Sequence, residues 1–199
     1  MYSQSILGKA RQMFLLFSLS MLCLPGWAQV RYSGTTTALL VSGTSTMHDW
    51  TMKSAKADCT AVFDFDAAGQ IIGINTLNFT TTVKDLKSDH TAMDNNAYKA
   101  LKTDKAPTIT YTLTSVSAAS LAGGTATVTC VGKLTIAGAT RDAQVIAVCK
   151  FNADHTISVA GTEKISMKDF SINPPTFMLG TIKTGNDITL GFNLTLKRS

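Results

Sequence analysis

Pro107-Thr108-Ile109-Thr110-Tyr111-Thr112-Leu113-Thr114 alternates three apolar side chains, Ile109, Tyr111 and Leu113, with four threonines. Successive side chains of an extended chain point to opposite sides, so this spacing predicts a strand with one dry and one wet face. Working outward, Ile71 to Val83 repeats the pattern, with Leu77, Phe79 and Val83 set against Thr76, Asn78, Thr80 and Thr82. Further runs of the same kind are 55–65, 125–136, 143–151, 156–167 and 187–196. Threonine, β-branched and polar, suits the wet face of a sheet. Between the runs lie short segments rich in Gly, Asn or Asp, such as Ala122-Gly123-Gly124 and Thr184-Gly185-Asn186-Asp187, which suit hairpins. The one helical candidate is Asp94 to Leu101, with Asp94 or Asn95 available as a cap and Pro107 beyond its end. Seven or eight sequential antiparallel strands joined by tight turns predict an all-β meander, which closes as an up-and-down barrel or stacks as a sandwich.

Lys9 and Arg11 precede the apolar run Met13 to Leu24, then Pro25-Gly26-Trp27-Ala28. The run is short for a membrane span, and Gly26 and Ala28 supply small residues around a cut. Residues 1–28 are therefore expected to be a secretory signal peptide and 29–199 one domain, periplasmic or secreted after cleavage near Ala28. Without Lys9 and Arg11, 16 basic residues face 13 acidic ones, a surplus of three with no Lys/Arg run. That speaks against a nucleic-acid partner. Cys59, Cys130 and Cys149 remain after cleavage. Cys130 and Cys149 lie on neighbouring predicted strands and are the favoured disulfide candidate, the alternative being three small buried hydrophobes. Their spacing fits no zinc pattern.

An eight-stranded barrel has an interior just wide enough for side chains or one small ligand. Ala57, Ala61, Gly73, Gly132, Ala143, Ala147, Ala160 and Gly191 are small candidates for inward positions that would leave apolar volume open. Against that, Phe63, Phe65, Phe79, Phe151 and Phe192 could fill the space. The pattern leaves both outcomes open.

Several motifs carry a resemblance. In chain order they are Gly43-Thr44-Ser45-Thr46-Met47-His48-Asp49-Trp50, Val83 to Ser88, Met93 to Leu101, Ala106-Pro107-Thr108-Ile109-Thr110-Tyr111, Gly132 to Arg141 (GKLTIAGATR), and Met167 to Pro175. Together, over 42–196, they resemble the YceI-like family. The resemblance implies an extended, lipocalin-like antiparallel barrel of about eight strands with one short helix. A polyisoprenoid or similar fatty amphiphile would be threaded along its axis, with no catalytic residues and no other cofactor. The chain departs from the family over 31–41, 115–124 and 177–182.

His48 beside Asp49 invites a catalytic or metal reading, but neighbours in a continuous strand face opposite ways and no nucleophile accompanies them. His90 and His155 lack metal-ligand spacing with it. The resemblance instead makes His48 and Trp50 part of the packing or ligand lining. Met93, Tyr98 and Leu101 around the short helix would form a lid at one barrel end, or the helix would simply plug that end. Phe170, Ile172, Phe177 and Met178 would border a tunnel end, where methionine suits a flexible ligand. Phe79, Ile109 and Tyr111 complete the ligand-binding candidates. A non-enzymatic carrier of an apolar lipid is the expected function, with a homodimer and transient membrane contact compatible with it. The alternative is a cell-envelope interaction or stress protein whose packed barrel acts through its surface.

Overall fold

Period-two patterning becomes nine strands in a computed structural model that describes residues 28–122 and 124–199. The expected signal peptide, apart from Ala28, lies outside the described residues. The strands are β1 (Ala28–Ser45), β2 (Trp50–Phe65), β3 (Ile71–Thr82), β4 (Thr108–Ala122), β5 (Thr125–Ile136), β6 (Ala139–Phe151), β7 (Ile157–Ser166), β8 (Thr176–Phe177) and β9 (Ile182–Arg198). Helix α1 (Thr91–Ala100) lies between β3 and β4. Each long strand pairs antiparallel with the next, and β9 returns to pair with β1, so eight strands close an up-and-down barrel. β8 is a two-residue addition on β9.

Register shifts occur in the β2–β3 pair around Val62–Phe65, and they break the strict alternation further in β1 and β4. β1 carries register shifts between Gly34 and Thr36 and between Thr36 and Leu39. β4 carries them between Leu113 and Ser115 and between Val116 and Ala118. Each irregularity changes the phase of the side chains, so neither segment reads as a continuous strand from sequence.

The hydrogen-bonded ladder also parts in two places. β3 and β4 pair only over Asn78–Thr82 and Thr108–Thr112. β6 and β7 pair from Phe151↔Ile157 only as far as Ile146↔Thr162. Beyond that pair, β6 keeps β5 as its partner while β7 keeps β9.

One end of the barrel, away from α1, is filled. Phe63, Ile157 and Cys149 have no exposed surface there, and Tyr32 meets Phe63 edge to face at 5.6 Å. Phe65 meets Phe151 in the same way at 5.8 Å. Of the small candidates, Ala57, Ala61, Gly132 and Ala147 are buried inward. Ala160 is exposed, and Gly191 abuts the exposed Leu40, so both lie on the outer wall.

Cys59, Cys130 and Cys149 are all buried free thiols, which corrects the expected Cys130–Cys149 disulfide. Cys130 pairs with Val145 and Cys149 with Ala126. The two cysteines are thus offset by four residues along adjacent strands, about 13 Å at ~3.3 Å per residue, where a bridge needs less than about 7 Å. Burial pushes the Cys59 and Cys149 thiols up to about 12. They behave as small hydrophobes.

Candidate functional site

At the α1 end the interior is hollow. A cavity of about 340 Å³ lies under the helix, within the size range of small-molecule sites. Its walls follow from the registers: Ile109 on β4, Ile136 on β5, Ile165 on β7, Ile188 and Leu190 on β9, Val41 on β1 and Met52 on β2. Its roof is Ala92, Met93, Ala97, Ala100 and Leu101 around α1, with Leu86 before it. Opposite stand Met167, Phe170, Ile172, Pro175, Phe177 and Met178. Among the described residues no Lys, Arg, Asp or Glu lines the space; His48, His90, Ser45 and Thr184 are its polar contributors.

Side chains outside the chamber hold the roof in place. α1 begins at Thr91, three residues before the expected start, and His90 at its N-cap makes no side-chain cap. Asp94 does not cap the helix either. Its carboxylate accepts hydrogen bonds from the Ser88 backbone N–H at 2.7 Å and the Ser88 hydroxyl at 2.8 Å, with Lys87 Nζ at 3.7 Å. Burial alone would raise this carboxyl, but the Ser88 hydrogen bonds and Lys87 hold it below its ordinary value. The Tyr98 hydroxyl donates to the Leu86 carbonyl at 2.8 Å, and Lys87 Nζ sits 5.1 Å from the ring centroid. At the helix end, Lys102 Nζ donates to the Ser171 carbonyl at 3.2 Å, tying the roof to the opposite rim.

His48 lies in the turn between β1 and β2 rather than in a strand. Its Nδ1 contacts the Asp49 carbonyl at 2.7 Å, not the carboxylate, while the Ser45 hydroxyl donates to the His48 carbonyl. The Trp50 Nε1–H donates to the Thr44 carbonyl at 3.0 Å, and its ring lies over Gly43, where a β-carbon would meet Cζ2 at 2.5 Å. The motif around Gly43 therefore builds one edge of the mouth.

Nine of the expected ligand-binding residues line the chamber: His48, Trp50, Met93, Leu101, Ile109, Phe170, Ile172, Phe177 and Met178. Three do not. Tyr98 turns its hydroxyl to the backbone before α1, Phe79 packs into the core beside β2, and Tyr111 lies one layer below Ile109. Sequence reading missed Met52, Leu86, Ile136, Ile165, Met167, Ile182, Ile188 and Leu190. The signal that would have found several of them is register, since Ile109 and Ile136 share the inner face only once β4 is aligned on β5.

The rim is unusually apolar. Met47 is 63 % exposed, Met178 72 %, and Leu179 fully exposed. Met178 and Leu179 hold left-handed backbone, φ 48° and 55°, followed by Gly180 at 89°. Two hydrogen bonds, Thr46 N–H to the Lys183 carbonyl and Lys183 N–H to Thr46 Oγ1, join the Met47 turn to the β8–β9 hairpin.

A closed antiparallel meander with one packed end and one hollow, apolar end defines a lipocalin-like barrel. The chain belongs to the YceI-like family, whose domain model matches residues 28–196. It is similar in structure to BcnA of Burkholderia cenocepacia, with a TM-score of 0.61 at 18 % identity, over 80 % of this chain and 95 % of that one. A polyisoprenoid binding domain from Saccharophagus degradans implicated in plant cell wall breakdown gives 0.61 at 14 % identity, over 86 % and 100 %. The YceI protein of Campylobacter jejuni gives 0.53 at 23 %, over 72 % and 84 %. No curated protein matches the chain.

Proposed function

We propose that this protein binds and carries an apolar lipid, a polyisoprenoid or similar amphiphile, without catalysing a reaction on it. The observation that carries this reading is the roofed chamber with no charged side chain in its lining. Each methylene buried there contributes about 0.8 kcal/mol. A segment of about ten carbons thus offsets a typical association cost of several kcal/mol without any ionic contact. The Saccharophagus degradans neighbour, a polyisoprenoid binding domain, supports the ligand class. Exchange takes place by transient contact of the rim with a membrane, where exposed Met47, Met178 and Leu179 meet the bilayer and exposed Lys168 and Lys183 suit an anionic leaflet. The leader-like pattern of Lys9, Arg11 and the apolar run Met13 to Leu24 supports a periplasmic or secreted location for this work.

Organic extraction and native mass spectrometry of the protein purified from its native envelope test the proposal. A co-purifying lipid is expected, and its amount should fall in Ile109→Trp, whose larger ring narrows the chamber of about 340 Å³. Repeated recovery of lipid-free protein that also refuses prenyl and alkyl probes would overturn it.

A second reading, an envelope interaction protein or homodimer acting through its surface, rests on the outer wall. Register places Ile146 beside Thr162, Gly191 and Leu40 across β6, β7, β9 and β1, with Val148 in the adjoining row. Leu40, Ile146 and Val148 are exposed. Sedimentation of Ile146→Lys against the parent chain separates this reading, since only a protein using that wall would change its association.

A further inference from the structure

The polar groups of the chamber are not scattered over its walls. Ser45, His48 and Thr184 meet at one corner of the rim, where Ser45 pairs with Thr184 across β1 and β9 and its hydroxyl donates to the His48 carbonyl at 2.7 Å. The neighbouring Thr46 and Lys183 close this corner with two further hydrogen bonds. From Thr184 inward along β9 the lining turns aliphatic, with Ile188 and Leu190, and Ile165 of β7 stands opposite Ile188. A polar end group sunk among these side chains would be left without a partner, at a cost of roughly 1–3 kcal/mol. An amphiphile is therefore best held with its hydrocarbon inward and its polar end beside His48.

His48 offers that end a defined partner. Its Nδ1 lies 2.7 Å from the Asp49 carbonyl oxygen. A carbonyl oxygen only accepts, so Nδ1 carries the proton, and the neutral ring keeps its lone pair on Nε2. Since the side chain lines the chamber and Nδ1 is engaged by backbone, Nε2 is the ring nitrogen left for a ligand. The turn that carries the ring is itself fixed: the Ser45 hydroxyl accepts from the Met47 and His48 N–H groups at 3.2 and 3.1 Å while it donates to the His48 carbonyl.

We propose that His48 Nε2 accepts a hydrogen bond from the polar end of the lipid, and so selects amphiphiles that end in an O–H or N–H donor, such as a long-chain alcohol. This rests on the carrier reading above and adds the end group and its orientation. An ether oxygen brings no proton to Nε2, and a carboxylate sets its own lone pairs against that of the ring. His48 is exposed at the mouth, so water competes for the same nitrogen and the gain is that of one net hydrogen bond.

Equilibrium displacement of a fluorescent alkyl probe from the intact protein at pH 8, by dodecane, dodecanol and dodecyl methyl ether, tests the acceptor. The parent chain is expected to prefer dodecanol to the ether by about fivefold beyond their difference in water, the worth of one net hydrogen bond. His48→Phe keeps an aromatic ring at the position and should abolish that preference while leaving the affinities for dodecane and the ether unchanged. In the parent protein, where no variant has to fold, the nitrogen NMR resonance of His48 Nε2 should shift with dodecanol and not with the ether. A hydroxyl preference equal in the parent and His48→Phe proteins, or an Nε2 resonance that answers both ligands alike, overturns the acceptor but leaves the carrier intact. Displacement by none of the three chains overturns the carrier, and the acceptor falls with it.

Discussion

At Gly161 a β-carbon would lie 2.5 Å from the Ile146 carbonyl oxygen and 2.5 Å from Phe192 Cζ. The same relation holds between Gly132 and Tyr111 and between Gly43 and Trp50. These glycines admit large rings flat against the wall, so the space a missing side chain opens is taken by a neighbour and not by a ligand. Reading small residues as open volume was therefore sound for direction at Gly132 and silent about what fills it, because the filler sits on another strand. Gly161→Ala should cost about 1–3 kcal/mol by overpacking, measured as a lowered urea midpoint with an unchanged slope. Glu163 gives the opposite sign. Its carboxyl is raised by burial, so the folded state disfavours the charged form, and the cost appears as pH rises through the folded value. Glu163→Gln should accordingly raise the thermal midpoint at pH 7. The two proteins should converge below about pH 4.5, the ordinary carboxyl value of the group; a gap that persists in acid would mean a packing effect.

On the scale of elements, α1 depends on contacts that a helical pattern does not report. Its amphipathic face is short, its N-cap is bare, and its position is fixed by Asp94 on Ser88 and Tyr98 on Leu86. Asp94 looked like a cap because carboxylates favour that position; the fold uses it one turn inside the helix to grip the preceding loop. Asp94→Ala should destabilise the protein by about 1.5–3 kcal/mol, the range for hydrogen bonds to a charged group. Since the native carboxyl is held low, that contribution is present above its unfolded value of 3.8 and fades as pH falls through the lower folded one. Denaturant titrations at pH 7 and pH 3 would read both. Faster release of a bound alkyl probe should accompany the loss, because the roof of the chamber loses its grip. β1 shows the converse: its pairing is as extensive as any, yet two bulges scramble the alternation that would have announced it.

For the whole molecule, closure and the division into a packed and a hollow end emerge only from register. Strand identity was legible because period two is local, whereas the filling of the barrel depends on which faces meet across β4, β5, β7 and β9. The rim belongs to this scale too, since Met47, Met178 and Leu179 come together only when the β1–β2 turn is tied to the β8–β9 hairpin. Holding Met178 and Leu179 in left-handed backbone costs roughly 1–2 kcal/mol per residue, and neither side chain recovers this by burial within the protein. A bilayer would supply that burial, about 1.5–3 kcal/mol for each apolar side chain fully inserted. The double variant Met178→Ser/Leu179→Asn separates the two accounts of the rim. Asparagine tolerates left-handed backbone, so urea unfolding should find stability unchanged or slightly increased. Binding to vesicles containing anionic lipid, followed by co-sedimentation, should fall by at least about tenfold if both side chains insert. Alkyl-probe binding in the absence of vesicles should fall less than vesicle binding, because Met178 is one of many lining side chains and Leu179 is not among them. If vesicle binding is equally strong in both proteins, the exposed rim has no part in lipid exchange and the ligand must enter elsewhere.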